Sequence, residues 1–137
     1  MKVGEIMTTD VFLTAPNRSI REAAETMQRM DVGSLPVGDG DRLIGMLTDR
    51  DIAIRAVARG LGGDTPVRDV MTDQIRYCFD DEDVEHVARN MADLQVRRLP
   101  VINRDKRLVG FVSLSDFAHS GDDHSSEELL KGVAKPH

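Results

Sequence analysis

An internal repeat constrains the fold of this chain more than any other feature of its sequence. Leu35-Pro36-Val37 recurs 64 residues later as Leu99-Pro100-Val101, and many other positions coincide at the same spacing. One extra residue near Asn103-Arg104-Asp105 changes the spacing to 65 for the rest of the second copy. Self-similarity at a fixed period predicts two copies of one structural unit. We expect a first repeat over residues 1–60, a linker over 61–65, a second repeat over 66–120 and a polar tail over 121–137.

Each repeat has the sequence pattern of a strand, a helix, two paired strands and a second helix. Ser19 followed by Glu22 is typical of a helix start, and Gly38-Asp39-Gly40-Asp41 is typical of a hairpin turn. A unit of about 60 residues is only marginally stable alone. We therefore expect an α+β fold in which the two copies pack with pseudo-two-fold symmetry and leave a cleft between them.

Helical spacing of apolar residues predicts which side chains face the core. The spacing occurs after Ser19, again from about Asp49 to Arg59, and in the first helix of the second repeat. The residues expected to face inward are Ile20, Ala23, Ala24, Met27, Met30, Ile52, Ala53, Ala56, Val57, Val84, Val87, Ala88, Met91 and Leu94.

Composition excludes several classes of function. The chain has 137 residues, a net charge of -6 and 4% aromatic residues, which argues against general nucleic-acid binding and against base-stacking surfaces. Its apolar runs are too short to span a bilayer, and no signal peptide opens it. The single cysteine, Cys78, is compatible with a reducing compartment. We therefore expect a cytoplasmic protein without nucleic-acid or membrane partners.

A short motif near the end of each repeat carries the most informative polar residues. Thr48 and Asp51 follow an apolar strand in the first repeat, and Ser113 and Asp116 follow the corresponding strand in the second. A hydroxyl and a carboxylate beside free backbone amides suit the phosphate and ribose of a nucleotide. The same spacing satisfies a capping box, in which the two side chains only start a helix. The motif alone leaves both interpretations open.

Three motifs together resemble those of the cystathionine β-synthase (CBS) domain family. They are Met-Thr near the start, the Leu-Pro-Val strand, and Gly-hydrophobic-hydrophobic-Thr/Ser-x-x-Asp before the last helix, and the resemblance covers residues 2–120. It implies a tandem CBS pair, or Bateman module, that binds an adenosine-containing ligand such as AMP, ADP, ATP or S-adenosylmethionine in the cleft between the repeats. It also implies a regulatory role, a homodimer and a regulated protein partner.

The resemblance further implies a set of ligand contacts in this chain. They are two ribose-binding acids, two phosphate-contacting hydroxyls, two valines that wall the base, two arginines that reach a phosphate, and one base or sugar contact after the first strand. The acids are Asp51 and Asp116, and the hydroxyls belong to Thr48 and Ser113. The valines are Val37 and Val101, the arginines are Arg97 and Arg98, and the contact after the first strand is Thr14.

The two sites are not expected to be equivalent. The second repeat has Cys78 at the position of Thr14, and the first repeat has Gly33 and Ser34 at the positions of the two arginines. Because the first repeat keeps Thr14 together with its hydroxyl and its acid, we expect its site to bind the ligand more tightly.

Two classes of function follow from these observations. One is a nucleotide-binding sensor, and the alternative is a structural or protein-interaction dimer module with vestigial pockets. An enzyme has little support, since the motifs contain no residue that would activate water. A cluster of histidines and acids in the tail could bind a metal, but such a cluster is more often solvated. We therefore expect no catalytic residue, no metal site and no required cofactor. The tail residues concerned are His119, Asp122, Asp123 and His124.

Overall fold

The computed structural model describes residues 1–119 as two compact units, whose boundaries differ from those of the repeats. The continuous unit is Phe12–Ile75, and the discontinuous unit joins Met1–Val11 to the chain from Arg76 onward. Each repeat therefore gives its first segment to the unit that holds the hairpin of the other repeat. The repeat boundaries expected from the sequence stay a prediction. The expected tail over 121–137 lies outside the described residues, and with it lie three of the metal ligands considered there, Asp122, Asp123 and His124.

The continuous unit contains one long helix, one hairpin, one irregular helix and a short 3-10 turn at Val67–Asp69. Its elements are α1 (Ile20–Met30), β1 (Ser34–Asp39), β2 (Arg42–Thr48) and α2, which is α-helical over Asp49–Asp51, π-helical over Ile52–Ala56 and 3-10 helical over Val57–Arg59. Strands β1 and β2 pair antiparallel, with Ser34 opposite Thr48. The expected first strand is reduced to a single parallel bridge between Thr14 and Val37.

The discontinuous unit has the same order of elements around a three-stranded sheet. Its elements are β3 (Cys78–Phe79), α3 (Val84–Leu94), β4 (Arg98–Ile102), β5 (Leu108–Ser113) and α4 (Leu114–His119). The strand order is β3-β4-β5, in which β3 runs parallel to β4 and β5 runs antiparallel to it. The mixture of helices and antiparallel hairpins confirms the expected α+β class.

Local sequence explains where the long helices begin and end. The Ser19 hydroxyl accepts a hydrogen bond from the Glu22 amide at 3.1 Å, which caps α1. Asp83 caps α3 in the same way by accepting from the Glu85 amide at 3.0 Å. Both helices end at a residue in the left-handed conformation, Asp31 and Gln95, each with φ of 55°.

Helical spacing predicted most of the buried face of α1 and α3 and failed for α2. Ala24 is exposed, and Leu94 is 39% exposed because it is the last residue of α3. Ala53 is exposed and Val57 is 68% exposed, because the π-helical turn changes the angle between successive side chains and the α-helical spacing no longer applies. Of the four α2 residues expected inside, Ala56 is the one that is fully buried.

Each hairpin pairs with a Met-Thr segment that belongs to the other repeat. In the discontinuous unit the Thr8 amide donates to the Phe111 carbonyl at 2.8 Å, and the Phe111 amide donates back at 2.9 Å. In the continuous unit Thr72 and Met46 exchange the same two bonds, both at 2.9 Å. Since Thr8 and Thr72 are corresponding positions, the two units use one reciprocal arrangement.

The close backbone approach requires a glycine at Gly45 and Gly110, three residues before Thr48 and Ser113. A Cβ added at Gly110 would lie 2.6 Å from the Thr8 carbonyl oxygen, and one added at Gly45 would lie 2.9 Å from the Thr72 carbonyl oxygen. These obstacles are backbone atoms, which cannot turn aside as a flexible side chain can. The Met-Thr pair and the motif glycine are therefore two sides of one contact.

Replacing Gly110 by alanine should destabilise the protein by about 1–3 kcal/mol, because the new methyl group forces the Met-Thr segment away from β5. Gly62→Ala is the matched control, since a Cβ there meets nothing within 4 Å; its effect should stay within about 0.5 kcal/mol. Urea unfolding midpoints measure both variants. Equal midpoints for the two variants would show that the segment does not depend on the glycine.

Candidate functional site

The first-repeat motif forms a complete capping box at the start of α2. The Thr48 hydroxyl accepts from the Asp51 amide at 2.9 Å, and the Asp51 Oδ2 accepts from the Thr48 amide at 3.0 Å. The Asp51 side chain is only 15% exposed, and its Oδ1 faces the Arg55 Nε at 3.8 Å. Among the described residues, none donates a hydrogen bond to Oδ1. The capping role therefore uses one carboxylate oxygen and leaves the other as an acceptor.

The second-repeat motif is more fully engaged within the protein. Asp116 Oδ2 accepts from the Ser113 amide at 2.8 Å and from the Ser113 hydroxyl at 3.2 Å. Asp116 Oδ1 has the Thr8 hydroxyl at 3.5 Å, which is long for an O–H···O hydrogen bond. The Ser113 and Ser115 hydroxyls also share a hydrogen bond at 2.9 Å. Asp116 Oδ2 thus accepts two hydrogen bonds, whereas Asp51 Oδ2 accepts one.

Arg98 lies next to the second-repeat motif. It stands opposite Ser113 in the β4–β5 register, and its guanidinium carbon lies 4.1 Å from the centroid of the Phe111 ring. Partial burial lowers the pKa of the Arg98 guanidinium, and the nearby charge of Asp116 opposes that shift. Arginine nevertheless stays charged at physiological pH. In the described part of the chain no carboxylate forms a salt bridge with Arg98, so the site presents an exposed cation that the Phe111 ring holds in place near Asp116.

The corresponding place in the continuous unit has no cation of this kind. Ser34 stands opposite Thr48, as Arg98 stands opposite Ser113. A Cβ added at Gly33 would lie 3.1 Å from an Asp49 carboxylate oxygen. This end of the first hairpin is therefore polar and acidic, which agrees with the expectation that the two sites differ. Arg97, the other candidate arginine, is exposed.

Thr14 is a buried hydroxyl residue beside β1. It is 6% exposed, its amide donates to the Pro36 carbonyl at 3.0 Å, and its carbonyl accepts from the Gly38 amide at 2.9 Å. Within residues 1–119 its hydroxyl has no hydrogen-bond partner in the protein. A buried hydroxyl without a partner costs free energy, which a bound ligand would recover.

Cys78 takes the place of Thr14 in the discontinuous unit, where it pairs with Val101. Burial, assisted by the charges of Glu82 and Asp80, raises the pKa of the Cys78 thiol to about 12. The thiol is therefore neutral at physiological pH and offers a ligand a weak hydrogen-bonding group.

The two candidate base-walling valines lie in the hydrophobic cores. Val37 and Val101 are both 0% exposed, and each belongs to the core of its own unit. Their predicted contact with a ligand stays a prediction. Both pair with the residue after the first strand, so they do fix the positions of Thr14 and Cys78.

The structure thus brings together Ser113, Asp116 and Arg98 in one unit and Thr48 with Asp51 in the other. Thr14 lies on the opposite side of β1 from β2, at Val37 rather than at Ser34, roughly 10 Å along the strand. The sequence interpretation missed Thr8 and Arg55, which contact the two acids. Thr8 had a signal, because it recurs as Thr72 in the repeat; Arg55 had none.

No group of three or more histidine, cysteine, aspartate or glutamate side chains within residues 1–119 is arranged to hold a metal ion. In the same part of the chain, no helix combines the length and apolar composition needed to cross a bilayer.

Curated relatives cover nearly the whole chain. The CBS domain-containing protein YhcV of Bacillus subtilis is 43% identical over 116 residues, which are 85% of this chain and 82% of the relative. Hypoxic response protein 1 of Mycobacterium tuberculosis is 37% identical over 134 residues, which are 96% of this chain and 93% of the relative.

Solved structures share the fold. A crystal structure of Hypoxic Response Protein I with two coordinated zinc ions has a TM-score of 0.76 and 36% identity, covering 88% of this chain and 98% of that one. CBSX2 in complex with AMP has a TM-score of 0.75 and 25% identity, covering 90% and 97%. A CBS domain pair in complex with 5'-methylthioadenosine and S-adenosyl-L-methionine has a TM-score of 0.72 and 27% identity, covering 90% and 98%.

The family model of the CBS domain matches the chain twice, over residues 3–57 and 67–122. These two matches coincide with the internal repeat and contain both Thr/Ser-x-x-Asp motifs. The chain therefore belongs to the CBS domain family and carries two CBS domains in tandem.

Proposed function

We propose that the protein is a regulatory module that binds an adenine nucleotide, AMP, ADP or ATP, with Asp51 as the ribose-binding acid of the tighter site. The observation that carries this proposal is the Asp51 Oδ1 atom, which belongs to a side chain only 15% exposed and accepts no hydrogen bond from the described residues. The AMP complex of CBSX2 and the 5'-methylthioadenosine complex of a CBS pair support an adenosine-containing ligand.

The chemistry of a ribose fits this carboxylate. The two ribose hydroxyls donate hydrogen bonds, and Oδ1 has lone pairs available after Oδ2 has capped α2. A hydrogen bond to a charged group contributes about 1.5–3 kcal/mol. The Thr14 hydroxyl, buried and without a protein partner in the described chain, would make the second polar contact with the same nucleoside. Thr48 contributes its hydroxyl at the phosphate end of the ligand.

The second site would recognise phosphate through Arg98. Its guanidinium is exposed, is held on the Phe111 ring and has no salt bridge among the described residues, so it is available for a charge-assisted hydrogen bond to an anion. Ser113 and Asp116 lie beside it, whereas Cys78 replaces the hydroxyl that the first site has. Arg97 would add charge at the exposed edge.

Regulation requires that the ligand interact differently with two conformations of the protein. A homodimer, a protein partner that responds to ligand binding, and a cytoplasmic location are parts of this proposal. The module would need no catalytic residue and no permanently bound cofactor.

A structural or protein-interaction module with vestigial pockets is the second candidate. The Asp51 and Asp116 carboxylates both act as helix caps. Asp116 also has a donor near each of its two oxygens within the protein. If neither site binds a nucleotide, these caps are sufficient to explain why the motif is present twice.

Calorimetry with AMP and 2'-deoxy-AMP tests the role of Asp51. The wild type should prefer AMP, and Asp51→Asn should bind AMP about tenfold to a hundredfold more weakly and lose that preference. Asparagine keeps an oxygen for the Thr48 amide, so the cap survives. Asp49→Asn removes the same charge two residues away in the same helix and should keep the preference.

Two results would contradict the proposal in different ways. If Asp51→Asn keeps the full preference for AMP, Asp51 is only a helix cap. If the wild type binds none of AMP, ADP and ATP, the interaction module is the better explanation.

The phosphate contact is tested by comparing AMP with adenosine in the Asp51→Asn background, where the second site dominates. Arg98→Gln should weaken AMP binding about tenfold and leave adenosine binding within about twofold, because one charge-assisted hydrogen bond is lost. Arg97→Gln, which removes the adjacent charge and leaves Arg98 on the Phe111 ring, should have a smaller effect. Equal losses for AMP and adenosine would show that Arg98 acts only by packing on Phe111.

A further inference from the structure

Arg55 connects the Asp51 carboxylate to a separate part of the continuous unit. Its Nε lies 3.8 Å from Asp51 Oδ1, and its Nη1 donates to the Met71 carbonyl at 3.1 Å and to the Val70 carbonyl at 3.4 Å. Those carbonyls belong to the segment Val67–Thr72, which ends by pairing with Met46 in β2. One side chain therefore touches both the candidate ribose acid and the exchanged Met-Thr segment.

The backbone at Arg55 is π-helical, which affects the direction of the Arg55 side chain. Arg55 belongs to the π-helical turn Ile52–Ala56, at whose end the Val57 amide donates to the Ile52 and Ala53 carbonyls. A π-helical turn is wider than an α-helical one and is found preferentially at functional sites. The wider turn changes the direction in which the Arg55 side chain leaves the helix. That side chain lies between the Asp51 carboxylate and the Val70 and Met71 carbonyls.

We propose that Arg55 is a positioning residue that couples ligand contact at Asp51 to the segment Val67–Thr72. The proposal rests on the proposed nucleotide site. The cap already holds the carboxylate through Oδ2, and ribose hydroxyls bound to Oδ1 would fix the remaining oxygen, which Arg55 faces. Arg55 then loses less conformational entropy when it binds the Val70 and Met71 carbonyls. Ligand binding thus orders the segment without contact between the ligand and the segment.

The coupling belongs to the first-repeat site. At the position that corresponds to Arg55 the second repeat has Ser120, an uncharged residue that lies outside the described residues. The ordered segment also has a distinctive place in the chain, because it ends three residues before Ile75, the last residue of the continuous unit. Nucleotide binding at Asp51 would therefore be felt where the chain leaves this unit.

Amide hydrogen exchange with and without saturating AMP tests the coupling. In the wild type, AMP should slow exchange of the Met71 and Thr72 amides about tenfold, equivalent to about 1.4 kcal/mol. In Arg55→Met, at the same AMP occupancy by calorimetry, the slowing should fall below twofold. Arg59→Met removes the same charge and keeps the same unbranched stem at an exposed position of the same helix, and it should behave like the wild type. Full slowing in Arg55→Met would overturn the coupling.

A cycle without ligand separates this proposal from the nucleotide proposal. Without AMP, Arg55→Met should speed exchange of the same two amides, because the carbonyl contacts are lost. Asp51→Asn should speed it less, and the double variant should match Arg55→Met, since Asp51 acts through Arg55. Additive effects would overturn the link whether or not AMP binds. Failure of AMP to bind the wild type, with a non-additive cycle, would instead contradict the nucleotide site and leave the link established.

Discussion

The approach of a Met-Thr backbone to the motif glycine is the contact on which both units depend. At Gly110 and Gly45 the space that a Cβ would need is taken by the Thr8 and Thr72 carbonyl oxygens. The segments that make this approach come from opposite repeats, so neither hairpin is completed by its own repeat. The same contact places Thr8 beside Asp116 and the Val70 and Met71 carbonyls beside Arg55. Each Met-Thr segment therefore adjoins one of the two candidate sites.

The sequence predicted the elements well because their signals are local. The cap at Ser19, the turn after β1 and the paired strands around Leu35 and Leu99 depend on residues a few positions apart. The exchange of first segments was not predictable in this way, since a repeat reports which segments are alike and not which ones pair. The π-helical turn in α2 also lacked a signal, and the inward positions of Ala53 and Val57 failed with it.

The candidate site divides along the same line. Thr48 with Asp51 and Ser113 with Asp116 were predictable as pairs, because each pair forms within one strand-to-helix turn. The two acids differ in their neighbours, which were not predictable. Asp116 is near Thr8, which is remote in sequence, and Asp51 is near Arg55, which lies in an irregular helix. Capping and ligand binding are also not exclusive at Asp51, because the cap occupies one oxygen and leaves the other.

Because of the reciprocal pairing, the two units can be completed at different times while the chain is being synthesised. The Met46–Thr72 bonds close a loop of 26 residues, and all of the continuous unit has been made once Ile75 has emerged. The Thr8–Phe111 bonds join residues 103 positions apart, so the Met-Thr part of the amino-terminal segment must wait for β5. Loop-closure entropy adds only about 1.2 kcal/mol for this fourfold longer separation. The delay is therefore mainly one of time, during which the amino-terminal segment has no strand with which to pair.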